Sequence, residues 1–276
     1  MSEQHQIKPL ILITNDDGIQ SPGLHAAARA AATLGDVLVV APNRQWSGAG
    51  RSLPHQVQGQ IFPYSLQVNG RRIDAYQVDG SPAAGVLHAL LELAPKKPDL
   101  LISGINYGEN LGADITVSGT VGAALEGSAN GVPALAVSLQ TPKRMHTCPS
   151  DDVDFSAAVH FIRFFARYLL KISLPFDVDV LKVDIPSDAT PDTAWRLTRV
   201  SRHTYFTPLP PQRNDLTQAA RIDYQALPHP EITEPDSDIY AVAVDRIVSL
   251  APLSYDLTAR VDRGRMEELL RGPKTR

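Results

Sequence analysis

A chain of 276 residues, 43% of them hydrophobic and 20% charged, carries enough apolar material for one large core or two ordinary ones, which sets aside disordered and fibrous classes. A formal net charge of −4 argues against a protein that coats a nucleic-acid polymer, because such binding draws on clustered lysine and arginine. The single cysteine, Cys148, allows no internal disulfide, the polar first residues lack an export signal, and no apolar run reaches membrane-spanning length, so a cytoplasmic protein with no membrane partner is expected.

In chain order, residues 10–14 form a short apolar run that reads as a buried parallel strand. An alanine- and leucine-rich helix is predicted over 23–34 and a second buried strand over 37–41, which completes a βαβ unit. Between 53 and 78 the helical pattern lapses, and Asn69-Gly70 signals a turn within an inserted β-hairpin region. The alternation resumes with a helix over 81–93, a strand over 100–103, a helix over 121–130 and a strand over 134–138. A long helix over 153–170 and a last core strand over 180–185 follow.

Beyond Pro186, frequent prolines interrupt any long element; extended segments are expected over 195–200 and 239–250, and a terminal helical turn over 266–270. The expected architecture is one α/β domain, Rossmann-like, with a three-layer open, mostly parallel sheet. Residues 1–187 form its catalytic core, and residues 188–276 a C-terminal extension used in oligomerisation.

In such sheets ligands bind beyond the carboxyl ends of the strands, so the polar residues that follow each strand are the candidates. Asp16 and Asp17 follow the first strand. Adjacent carboxylates are costly to hold together without a cation, and their hard oxygens suit magnesium, manganese or calcium. Taken alone, Asp16-Asp17-Gly18 reads as a turn; its place after a buried strand favours the cation. Ser47 and Asn106 add neutral oxygen donors from loops at the same sheet edge, although each alone reads as a cap or turn residue. Ser118-Gly119-Thr120 opens a helix whose free amides, hydroxyls and dipole could receive a phosphate, or simply cap it. Arg44 and Arg51 are weaker candidates for offsetting phosphate charge. Neither a nucleophile elbow, a Walker loop nor zinc-ligand spacing is found.

These blocks, Asn15-Asp16-Asp17-Gly18, Ala41-Pro42 with Ser47-Gly48, Ser103-Gly104-Ile105-Asn106 and Ser118-Gly119-Thr120-Val121-Gly122, resemble in order and spacing the motifs of the SurE family, also called survival protein E or stationary-phase survival protein. The resemblance implies a 5'/3'-nucleotidase that hydrolyses nucleoside monophosphates and also short polyphosphate. It implies one divalent cation per subunit, Mg2+ or Mn2+ with Ca2+ also accepted, held by Asp16, Asp17, Ser47 and Asn106. Asp16 and Asp17 would be catalytic, Asn15, Gly48, Asn110, Ser118, Gly119 and Thr120 would contact substrate, and a homodimer or homotetramer would form. Asn43, Gly50, Val117 and Ala84-Gly85 depart from the family's usual residues and leave base preference and loop geometry open. The rival reading is a non-catalytic nucleotide- or metal-binding regulatory protein.

Overall fold

A computed structural model describes residues 8–147, 150 and 152–272; Cys148 lies outside the described residues. Its centre is an uninterrupted series of parallel strands: β1 (Leu10–Thr14), β2 (Asp36–Pro42), β5 (Arg71–Val78), β6 (Leu100–Tyr107), β7 (Ala134–Leu139) and β8 (Val180–Ile185). Side chains alternate across the sheet, as strand geometry requires. Ile11, Ile13, Leu100 and Ile102 face one core, which is covered by α1 (Pro22–Ala31) and α4 (Ser156–Leu169). Leu12, Leu38, Leu101 and Ala136 face the other, covered by α2 (Pro82–His88) and α3 (Gly119–Ala129). Two helical layers on one sheet explain why the strands read as continuous apolar runs.

With β3 (Ile61–Pro63), β9 (Trp195–Leu197) and β12 (Val248–Leu253) added, the strand order is β3-β5-β2-β1-β6-β7-β8-β12-β9. From β1 the chain winds outward through β2 in one direction, and it later returns to place β6 on the other side of β1. The loops leaving β1 and β6 therefore diverge, and a crevice opens between them at the topological switch point.

Several elements differ from the sequence expectation. The region read as an inserted hairpin does contain one, with β4 (Leu66–Val68) turning at Asn69-Gly70 into β5, and β3 (Ile61–Pro63) also pairs with β5. However, β5 itself runs parallel to β2 and belongs to the main sheet. The strand expected to end at Ser103 continues to Tyr107, with a register shift against β7 between Ser103 and Asn106. Gly104 makes this irregularity possible: a Cβ there would stand 2.2 Å from the Val137 carbonyl oxygen. Asn106 is thus presented by the irregular end of a strand instead of by a loop.

The segment expected to be extended over 239–250 is a short helix, α5 (Asp238–Ala243), followed by strand β12 (Val248–Leu253). Ser237 caps the helix by accepting the Tyr240 N–H, a start signal that outweighs the β-branched residues behind it. The sheet does not stop at β8. β12 pairs antiparallel with it, and β9 (Trp195–Leu197) lies outside β12. The extension also contributes a separate hairpin of β10 (Phe206–Leu209) and β11 (Asp223–Ala226), and an exposed terminal helix, α6 (Arg263–Arg271). Among the described residues no helix is long and apolar enough to cross a membrane.

Candidate metal and phosphate site

At the end of β1 the backbone must turn sharply. The Asn15 amide closes that turn at both ends, its Nδ2 donating to the Gly18 carbonyl at 3.1 Å and its Oδ1 accepting the Gly18 N–H at 3.1 Å. Gly18, at φ +96°, supplies a conformation that favours glycine. Asn15 is fully buried within this scaffold, away from the cavity, while Asp16 and Asp17 are turned to the sheet edge.

Asp16 is 6% exposed. Its Oδ1 accepts a 2.6 Å hydrogen bond from the Thr120 hydroxyl, and its backbone carbonyl accepts the Trp46 N–H at 2.7 Å. Gly119 approaches so closely that a Cβ there would stand 2.7 Å from the Asp16 Cβ and 2.8 Å from its Oδ2. Asp17 accepts from Gln45 Nε2 at 2.9 Å and from the Tyr107 N–H at 3.2 Å. Loops from β1, β2 and β6 and the start of α3 are thereby tied to this carboxylate pair.

Burial raises the Asp16 carboxyl above its ordinary value, the Thr120 hydrogen bond acting against it. Burial also pushes the Asp17 carboxyl up to about 8, the adjacent Asp16 charge adding to the effect. The pair is held where ionisation is unfavourable unless positive charge arrives.

A cavity of about 360 Å³ opens over the pair, lined also by Ser47, Gly48, Asn106, Asn110 and Ser118. Among the described residues its lining includes Glu109, Asp114 and Asp223, the last paired with Lys143 at 2.5 Å, but neither lysine nor arginine. Arg51 instead pairs with Glu126 at 2.7 Å, and Arg44 lies over the Trp46 ring at 4.9 Å. An anionic ligand entering so acidic a cavity needs a cation that the side chains do not provide. The donors suit a hard one: two carboxylates, the Ser47 hydroxyl, and the Asn106 amide, whose Nδ2 is committed to the Gly108 carbonyl at 2.7 Å so that Oδ1 is left as its donor atom.

On the facing wall α3 begins. Ser118 is its N-cap, with Oγ accepting the Val121 N–H at 3.1 Å, and the same residue lines the cavity. Gly119 and Thr120 stand behind it, shaping and holding Asp16 and not lining the cavity themselves. Asn110 is fixed on every side: its N–H donates to Asp184 at 2.8 Å, its Nδ2 to Ser138 at 2.8 Å, and its carbonyl accepts from Lys182 at 2.8 Å.

A family model described as "Survival protein SurE" matches residues 11–207, a span that holds all of these loops. The chain belongs to the SurE family. It is 42% identical over 269 residues to a relative named "5'-nucleotidase SurE" from Thermococcus gammatolerans, covering 95% of this chain and 96% of that protein. A relative of the same name from Archaeoglobus fulgidus is 40% identical over 254 residues, covering 91% and 94%. The crystal structure of SurE protein from Aquifex aeolicus superimposes with a TM-score of 0.74 at 31% identity, over 95% of this chain and all of that one.

Within this SurE-family site, part of the cavity wall escaped the sequence reading. Phe206, Pro208, Ile222 and Tyr224 come from the β10–β11 hairpin, and His146 from the segment after β7. Asp114 anchors the hairpin, its Oδ2 accepting the N–H groups of Tyr205 and Phe206, each at 2.9 Å. His146 stacks on Tyr224 with ring centroids 6.0 Å apart and planes 12° from parallel. Both of its ring nitrogens are engaged: Nε2 donates to the Thr141 carbonyl at 3.1 Å, which leaves Nδ1 to accept from the Tyr224 hydroxyl at 2.8 Å. Burial holds this histidine below its ordinary range. It is a neutral wall of the cavity and not a free proton carrier.

Proposed function

We propose that this chain is a nucleotidase that requires a divalent cation, Mg2+ or Mn2+ with Ca2+ also able to bind, and releases phosphate from nucleoside 5'- and 3'-monophosphates, with short polyphosphate as a further substrate. The observation that carries the reading is the Asp16-Asp17 pair at the topological switch point, facing a cavity lined, among the described residues, by neither lysine nor arginine and opposite the N-terminus of an eleven-residue helix. The relatives' shared name, 5'-nucleotidase SurE, supports the nucleotide substrate.

Asp16, Asp17, Ser47 and Asn106 would hold the cation. When bound, it supplies positive charge and Lewis acidity toward a phosphoryl oxygen. Ser118, at the N-terminus of α3, receives the phosphate through its hydroxyl, where the helix dipole favours negative charge. The Thr120 and Gln45 hydrogen bonds hold the two carboxylates at fixed angles, so little reorganisation accompanies charge development at phosphorus. Water is the acceptor. Exposed Leu257, Leu269 and Leu270 near the end of the described chain support self-association as a homodimer or homotetramer, which light scattering tests.

The deciding experiment is a phosphate-release panel of 5'- and 3'-mononucleotides and polyphosphate, with chelator and with single divalent cations restored. Release that stops in chelator and returns with Mg2+ or Mn2+ supports the reading. Nucleotide binding without release supports a regulatory binding protein in its place, and Asp16→Asn with undiminished turnover removes the carboxylate from its role.

A further inference from the structure

The cavity is lined by two unlike sets of side chains: the polar Asp16, Asp17 and Ser118, and the aromatic Phe206, Tyr224 and His146. Phe206 meets Tyr224 edge to face at a centroid distance of 5.1 Å and His146 at 6.0 Å. Glu109 also lines the cavity, is only 5% exposed, and stands against Tyr205, whose ring packs edge to face on Phe206 at 4.9 Å. One of its carboxylate oxygens is held: Oε1 accepts from Gln140 Nε2 at 3.3 Å. The amide of Gln140 is itself oriented by Arg246, which donates to its Oε1 at 2.7 Å. Burial raises the Glu109 carboxyl above its ordinary value, with the Tyr205 hydroxyl and Gln140 acting against it, yet its Oε2 is buried without a well-formed hydrogen bond among the described residues.

A buried acceptor left unmatched is costly, and it is compensated when a ligand brings a donor. Phosphate carries negative charge and would be repelled here. A hydroxyl or amino group attached to the phosphate's leaving group would be attracted, and a flat apolar body beside it would lie on the aromatic wall. A nucleoside has both features.

We propose that Glu109 selects nucleosides over other phosphomonoester leaving groups, its Oε2 accepting an O–H or N–H of the nucleoside while the base lies against Phe206 and Tyr224. This rests on the nucleotidase reading. Glu109→Gln tests it with little change of volume. Gln140 Nε2 demands an oxygen in the Oε1 position, so the new amide turns its NH2 group toward the cavity and presents a donor where an acceptor stood.

The measurement is kcat/KM for adenosine 5'-monophosphate relative to phenyl phosphate, in wild type and in E109Q. The ratio is expected to fall about tenfold or more. 2'-Deoxyadenosine and inosine 5'-monophosphates separate the two sources of the donor. If the 2'-hydroxyl supplies it, E109Q spares the deoxynucleotide; if the base amino group supplies it, E109Q spares the inosine compound. A ratio within about twofold of wild type overturns the proposal, as does a parallel loss on every substrate or a changed divalent requirement. Should E109Q lose its cooperative melt, Phe206→Leu reads the same ratio, and an unchanged value there also overturns it. Wild-type protein inactive on every nucleotide refutes the nucleotidase reading as well; wild-type turnover with an unaltered E109Q ratio refutes only the role of Glu109.

Discussion

The Thr120 hydroxyl donates a 2.6 Å hydrogen bond to Oδ1 of Asp16, across 104 residues of sequence and between two fully or nearly buried side chains. Thr120 therefore acts on the carboxylate and through it on the cation site. Thr120→Val keeps the shape and deletes the donor. The divalent concentration for half-maximal phosphate release should rise, or turnover fall, about ten- to a hundredfold, the usual cost of losing a partner that orients a metal ligand. Stability should fall by about 1–3 kcal/mol in urea titrations. A variant with wild-type divalent dependence would show that the bond is incidental.

Lys182, Asp184 and Asp238 form a fully buried charge triad, with Lys182 donating to both carboxylates and Asp238 also accepting the N–H groups of Gly112 and Ser201. Burial pushes Asp184 from its ordinary 3.8 up to about 6, the Lys182 charge acting against it. A carboxyl raised on folding contributes stability that is complete below 3.8 and is lost as pH rises through 6. Against burial, which lowers it, the two carboxylates lift Lys182 above its ordinary 10.5, so its contribution is complete below 10.5 and lost above. Lys182→Met leaves two unpaired buried carboxylates and should cost about 3–5 kcal/mol at neutral pH. The deficit should narrow as pH falls toward about 5, below the raised value of about 6 at which the Asp184 carboxyl takes up a proton. Thermal melts across that range check it; a pH-independent deficit would mean that packing, and not charge, is lost.

Legibility followed the range of the interactions. The strands of the core were readable because burial on both faces makes them apolar throughout, and Asp16, Asp17, Ser47 and Asn106 converge as expected because each follows or ends such a strand. The triad was legible in principle: Lys182 and Asp184 stand two apart in a buried strand, on one face, with opposite charge. Phe206 and Tyr224 were not. They meet only because a hairpin with a thirteen-residue loop, 210–222, brings them together, and because Asp114, far upstream, anchors it. Thr120 and Gly119 read as phosphate contacts because helix starts commonly serve that purpose; their proximity to Asp16 is a tertiary fact that no local pattern encodes.

Ser118 caps α3 and also lines the cavity, and two substitutions separate these roles. Ser118→Ala should cost about 1 kcal/mol of stability and Ser118→Gly only a few tenths, because glycine is tolerated at an N-cap. Both remove the hydroxyl, so both should lower kcat/KM for mononucleotides about tenfold or more. If the loss of activity tracks the loss of stability across the pair, the hydroxyl serves only the helix.

Gly119→Ala sets two effects against each other. At an ordinary helical position alanine is favoured over glycine by about 1 kcal/mol. Here the added Cβ would stand 2.7 Å from the Asp16 Cβ, closer than real Cβ atoms come, and overpacking of that kind costs about 1–3 kcal/mol. The net change in stability should therefore be a small loss, about 0–2 kcal/mol, as repacking takes precedence over propensity. The effect on activity should be far larger, because relief of the clash displaces Asp16 from Thr120 and from the cation donors around it. Phosphate release should drop about a hundredfold while the melting temperature moves by a few degrees. Activity near the wild-type value would show that Asp16 tolerates displacement and is not held to a demanding geometry.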